Sequence, residues 1–159
     1  MEKIKLEILG LSSSQSQIGS YALVLGEEDG TRRLPIIIGG FEAQAIALEI
    51  ENIKPNRPMT HDLLLEVGRA FSIEMQEVLI SDLKEGVFFS QIVLNRDGET
   101  VEVDARPSDA IALAVRYEAP VYVYDNILDE AGIIIREGEE EDEPEEAAAE
   151  GEEQPKERP

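Results

Sequence analysis

The sequence predicts an α+β fold: a duplicated β-β-β-α unit with largely antiparallel strands and helices packed on the sheet. Three observations predict it. Residues 3–11 alternate charged and apolar side chains with the period of two that a half-buried strand requires. Turn signals at Gly30, Gly86 and Gly98 punctuate pairs of apolar runs, which is the pattern of hairpins. Two strand-turn-helix segments also match each other, Ala45-Ile46-Ala47-Leu48 against Ala110-Ile111-Ala112-Leu113. α+β domains put antiparallel strands in one layer and helices in another.

The elements follow in order. Ile4, Leu6 and Ile8 share one face of the first strand, with Lys3, Lys5 and Glu7 on the other. Residues 12–16 are polar and form a loop. Residues 21–25 and 32–38 pair across the turn at 27–30. A helix covers 41–53, and Pro55 and Pro58 keep 54–59 extended. Thr60 is a suitable N-cap for a helix to Phe71, with Leu64, Val67 and Phe71 as its apolar stripe. Strands at 75–83, 87–94 and 99–104 repeat the first set. Pro107 suits the first turn of the next helix, where no backbone N–H is needed, and Pro120 ends it. A strand at 121–124 follows, then a closing element at 127–135 whose type the pattern leaves open. The two repeats are thus 3–11, 21–38 and 41–53, then 75–83, 87–104 and 107–118.

Ala110, Ile111, Leu113, Ala114 and Val115 leave the second helix with almost no polar face. Such a helix is buried on more than one side, against its twin or another copy, so a homodimer or other homo-oligomer is expected. Residues 1–136 form the domain. Residues 137–159 carry twelve acids against Lys156 and Arg158 and almost no large apolar side chain, so a disordered acidic tail is expected.

Formal net charge is −21, of which −11 belongs to residues 1–136. Non-specific nucleic-acid binding rests on Lys and Arg neutralising phosphates, so any DNA or RNA substrate is expected to bind weakly. The chain has no cysteine, which removes disulfides, thiol nucleophiles and cysteine-bound zinc. No apolar run approaches membrane-spanning length, and the N-terminus lacks signal-peptide character. A cytoplasmic protein with no membrane partner is expected.

No P-loop, dinucleotide fingerprint, His-Glu-x-x-His or Gly-x-Ser-x-Gly occurs. What remains is a set of polar residues at element boundaries. Asp104, Arg106 and Asp109 cluster where a strand meets a helix. Arg106 would bind phosphate, and Asp104 and Asp109 would hold a divalent cation or activate water. The structural alternative has Asp109 stabilising the helix start and Arg106 pairing with a carboxylate. Glu42 holds the matching place in the first repeat, and if the halves face each other it joins Asp109 in a metal site. Hard oxygen ligands suit Mg2+ or Mn2+, and no organic cofactor is expected. His61, the sole histidine, stands beside Asp62 at a helix start and suits general-base work, a metal ligand or a cap. Arg57 would contact phosphate or anchor its loop.

At these residues the chain resembles the bifunctional nuclease (BFN) domain family. Leu34-Pro35-Ile36-Ile37-Ile38-Gly39, Glu42-Ala43, Arg57-Pro58-Met59-Thr60-His61-Asp62-Leu63 and Asp104 through Leu113 look like its signature segments, over about residues 3–136. The resemblance implies the family's fold and a nuclease activity on both DNA and RNA, attributed to plant members. The corresponding site residues are His61, Asp62, Arg106 and Arg57 for catalysis and Glu42, Asp104 and Asp109 for metal. The expected function is a divalent-metal-assisted phosphodiesterase acting on DNA or RNA. The alternative is a non-catalytic dimeric module whose cleft binds a small anion or a peptide.

Overall fold

The structure, a computed structural model, describes residues 1–14, 17–135 and 148–151. Strands β1 (Lys3–Ser13), β2 (Ser20–Glu27) and β3 (Arg32–Gly39) form an antiparallel meander. Helix α1 (Gly40–Ile50) follows directly, then α2 (Thr60–Ala70). A second meander comprises β4 (Glu74–Lys84), β5 (Val87–Arg96) and β6 (Glu99–Ala105). Helix α3 (Pro107–Tyr117), β7 (Val121–Tyr124), α4 (Asp125–Ala131), β8 (Ile133–Ile134) and β9 (Ala149–Glu150) complete the described chain.

Local chemistry sets the turns. Glu85 and Gly86 both take positive φ between β4 and β5, as do Asp97 and Gly98 between β5 and β6. Two such residues in succession make the tight hairpin turn whose twist matches the strands, and glycine takes the second place without strain. Register shifts in β1 between Ile8 and Gly10, and in β4 between Met75 and Glu77 and between Ile80 and Asp82, add curvature.

That curvature lets the sheet close. β7 enters between the meanders, antiparallel to β1 and parallel to β4. On the other side β9 runs parallel to both β3 and β5. Seven strands thus form a barrel-like ring in the order β1, β2, β3, β9, β5, β4, β7, with β6 on β5 and β8 on β3. Leu23, Leu25, Leu34, Ile36, Ile38, Val78, Ile80 and Val123 are fully buried inside one core with Ile46, Ile111 and Leu128.

The mixed α+β expectation holds, and the β-β-β-α order recurs. The structure does not establish a duplicated unit. β3 is interior, with residues 34–38 all buried, whereas its counterpart β6 is exposed from Glu99 to Asp104. β7 and α4 have no equivalent in the first half. The closing element left open at 127–135 resolves into the end of α4 and β8.

Four residues of the tail, 148–151, are described, and two of them form β9. Composition at 137–159 offers no core residues, but the Ala148 carbonyl accepts from Ile37 N–H and Ala149 N–H donates to Gly86 O, both at 3.1 Å. A strand needs free backbone partners, and β3 and β5 supply them. Residues 136–147 and 152–159 lie outside the described set.

Helix α3 is covered from within the chain. It packs on β4 and β5 and lies between α1 and α2, so its apolar second face has neighbours without another copy. Its one long polar side chain, Arg116, is 6% exposed and ties the layer together. Nε donates to Asp62 of α2 at 2.7 Å, Nη1 to the Ala112 carbonyl at 2.8 Å and Nη2 to the Ala45 carbonyl of α1 at 3.1 Å. Helix α2 differs from expectation in its orientation. Leu64, Val67 and Phe71 are exposed, and the buried residues are His61 and Gly68. The helix approaches α3 through Gly68, where an added Cβ would stand 2.1 Å from the Tyr117 hydroxyl. No helix among the described residues is long and apolar enough to cross a membrane.

Arg116→Ala removes one partner of a nearly buried ion pair and strands two carbonyls. It is expected to cost about 3 kcal/mol of folding free energy, read as a lower urea midpoint. Arg116→Lys, lacking the fork that meets three acceptors, recovers only part of the loss.

Candidate active site

Three helix starts meet at one pocket. Gly39 and Gly40 turn the chain from β3 into α1, which puts Glu42 in the first turn. Pro58 and Met59 lead into α2, so His61 lies in its first turn. Ala105 ends β6, Arg106 is the N-cap of α3 with Pro107 after it, and Asp109 follows in the first turn. Phe41, Glu42, Ala45, Met59, Thr60, His61, Arg106 and Asp109 line the resulting pocket of about 350 Å³.

A continuous chain of polar contacts runs through it. Arg106 Nη2 donates to Glu42 Oε1 at 2.7 Å and to Asp109 Oδ2 at 2.8 Å, and Nε donates to the same Oδ2 at 3.0 Å. Asp109 Oδ1 lies 3.0 Å from His61 Nε2. A carboxylate can only accept, so a neutral His61 carries its proton on Nε2 and keeps its basic lone pair on Nδ1. The ring is 7% exposed, which fixes it in that orientation.

The hydrogen bond from His61 holds the Asp109 carboxyl below the usual carboxylate range, and Arg106 pushes the same way against the opposing effect of burial. Burial disfavours the Arg106 cation, but Glu42 and Asp109 outweigh it and raise the guanidinium pKa, so the group is always charged. With His61 neutral, Glu42, Arg106 and Asp109 sum to a formal −1.

The nominated residues divide. Glu42, His61, Arg106 and Asp109 come together. Asp62 does not join them. Its Oδ2 accepts the Met59 N–H at 2.9 Å and its Oδ1 accepts Arg116, so it caps α2 and anchors the helix that carries His61. Burial would raise the Asp62 pKa, yet these two donors bring it below its ordinary value. Asp104 is exposed on β6, outside the pocket lining. Arg57 is exposed on the loop before Met59.

The three carboxylates nominated for metal therefore do not form a cation cage. Asp104 is elsewhere, and both Asp109 oxygens are engaged by His61 and Arg106. Among the described residues no three His, Asp or Glu side chains gather as a metal site. A divalent cation there would have to displace Arg106, so no chemistry is assigned through one.

Two residues escaped the sequence reading. Arg116 sits on the face of α3 that looked wholly apolar, and a lone arginine in such a helix was the available signal. Glu150 lies in a segment whose composition gave no signal. It is 4% exposed, accepts the Ser108 N–H at 2.7 Å and the Ser108 hydroxyl, and stands 4.0 Å from Arg106 Nη1. Burial pushes its carboxyl pKa up.

The family model described as bifunctional nuclease domain matches residues 23–136. This chain belongs to the bifunctional nuclease domain family. An uncharacterized protein of Mycobacterium tuberculosis is 40% identical over 131 residues, 82% of this chain and 77% of that one. Bifunctional nuclease 1 of Arabidopsis thaliana is 33% identical over 106 residues, covering 64% of this chain and 33% of its own length. Bifunctional nuclease 1 of Oryza sativa subsp. japonica is 29% identical over 119 residues, 72% of this chain and 36% of that protein. The chain thus spans about a third of the plant relatives it matches.

Asp109→Asn gives a pH signature. A carboxyl whose folded pKa is lowered stabilises the fold above its unfolded pKa, and that contribution disappears as pH falls through the folded value. The stability gap between wild type and Asp109→Asn should be full near neutral pH and shrink on acidification below about pH 4, measured by urea unfolding across pH 2.5–7. A gap that stays constant with pH contradicts the assignment.

Proposed function

We propose that this protein cleaves phosphodiester bonds in nucleic acid, with the His61–Asp109 pair as general base and Arg106 as the phosphate-binding cation. The observation that carries the reading is the unbroken contact chain from Glu42 through Arg106 and Asp109 to His61 along one pocket. The names of the plant relatives support the substrate class.

Asp109 accepts from Nε2, so Nδ1 is the nitrogen that takes a proton from the attacking water. The water oxygen then bonds to phosphorus, the ester oxygen departs, and negative charge grows on the phosphoryl oxygens. The Arg106 guanidinium, with Nε and Nη2 held by Asp109 and Glu42, places its positive charge beside those oxygens. Imidazolium formed in the step is stabilised by Asp109, as in other carboxylate-oriented histidines. Glu42 and Asp109 hold the guanidinium in place. Arg57 supplies a second cation for the flanking backbone. Hydrolysis of this kind uses nothing specific to ribose, which is consistent with action on both DNA and RNA.

The expected Mg2+ or Mn2+ belongs to the assay as a separate arm. Purified protein is incubated with labelled single-stranded DNA and RNA in the presence of each ion and of EDTA. His61→Ala should lower kcat by about 10²- to 10⁴-fold, and Asp104→Ala should stay near wild type. Wild-type rates in a folded His61→Ala protein would sink the assignment.

A second reading, the self-associating binding module, draws support from the exposed apolar face of α2, with Leu63, Leu64, Val67 and Phe71 between 48% and 62% accessible. It predicts a sedimentation mass above the monomer that falls on Val67→Glu and Phe71→Glu substitution, with no cleavage under any condition.

A further inference from the structure

Phe41 is a pocket residue to which the chemistry above gives no task. It lies in the first turn of α1 next to Glu42 and is 87% exposed, the most exposed aromatic among the described residues. The core does not use it. Helix α1 buries Ala43, Ala45 and Ile46 instead. Isolated exposed apolar residues are ordinary on a surface, but this ring lines the same pocket as Arg106, Asp109 and His61.

Electrostatics leave a gap that such a ring fills. The whole chain carries −21 and the pocket cluster −1, so the net electrostatic attraction on which most nucleic-acid binding rests is weak here. Capture then needs a contribution that does not depend on charge. Stacking of a base on an aromatic ring is one. It tolerates any sequence, because every base has a π-face, and it does not read the sugar. Only an unpaired base offers that face, since duplex bases are already stacked on their neighbours.

We infer that Phe41 is a base-stacking platform and that the substrate is an unpaired stretch of nucleic acid. One base lies on the Phe41 ring while the adjacent phosphate meets Arg106. This inference rests on the nucleic-acid reading of the pocket given above and adds the substrate class to it. Phe41 is a specificity-determining residue, with no part in proton transfer.

The chain contains no tryptophan, so Phe41→Trp places a single reporter in the pocket lining. Its emission should be quenched on titration with a short single-stranded DNA and with the matching RNA, and stay unchanged with the same DNA as a duplex. In cleavage of single strands, Phe41→Leu keeps the bulk but loses the π-face. It should raise KM roughly ten- to hundredfold and leave kcat nearly unchanged, the mark of an interaction made equally in ground and transition states. Phe41→Tyr should restore KM. An unchanged KM in Phe41→Leu, with wild type cleaving, overturns the platform and leaves the nuclease standing. Quenching in a protein that cleaves nothing keeps the platform and removes the hydrolysis. Neither quenching nor cleavage removes both. Emission that shifts with protein concentration alone makes the ring a contact between copies and overturns the inference.

Discussion

One guanidinium holds the pocket together. Arg106 sits where β6 becomes α3, and from there it reaches Glu42 on α1 and Asp109 on its own helix. Asp109 passes the connection to His61 on α2. Three helix N-termini, each a place where backbone N–H groups favour negative charge, are thereby brought around one cation. Removing that cation would leave two partly buried carboxylates facing each other.

A second arginine works beneath the first. Arg116 joins α3 to the α2 N-terminus through Asp62 and to α1 through the Ala45 carbonyl. The adjacent residues His61 and Asp62 therefore divide the labour of one helix turn. Asp62 fastens the turn to the core, and His61 is free to project from it toward Asp109. A site built on helix starts pinned by packed side chains keeps its geometry better than one built on a loop. The tail touches the same region, since Glu150 occupies the α3 N-terminus at Ser108 within 4.0 Å of Arg106.

Most element boundaries were legible because they depend on local chemistry. Pro107 marks the start of α3, and Asp97 with Gly98 marks a hairpin, whatever the rest of the chain does. Features set by long-range packing were less legible. The stripe of Leu64, Val67 and Phe71 has helical spacing, yet spacing cannot say which side of a helix meets the core, and α2 docks through Gly68 and His61 instead. Asp104 looked like a partner of Asp109 because only five positions separate them. A strand end and a helix start diverge quickly, and Asp104 remains on the exposed ladder of β6. Asp62 was nominated for catalysis because it stands beside His61, and its partner Arg116 lies 54 residues away, a separation that no local pattern encodes. Composition describes a segment's average and does not indicate that Ala149 and Glu150 pair with β3 and β5.

In the proposed function Asp109 acts on catalysis through His61, and a double-mutant cycle tests that coupling most directly. Single-strand cleavage would be measured for wild type, His61→Ala, Asp109→Asn and the double variant, each checked for folding. Residues that act as one unit give strongly non-additive losses, so the double variant should be scarcely slower than His61→Ala alone. Losses that multiply, with the double variant slower by the product of the two single effects, would show that the two residues work independently and would contradict the pair as the general base.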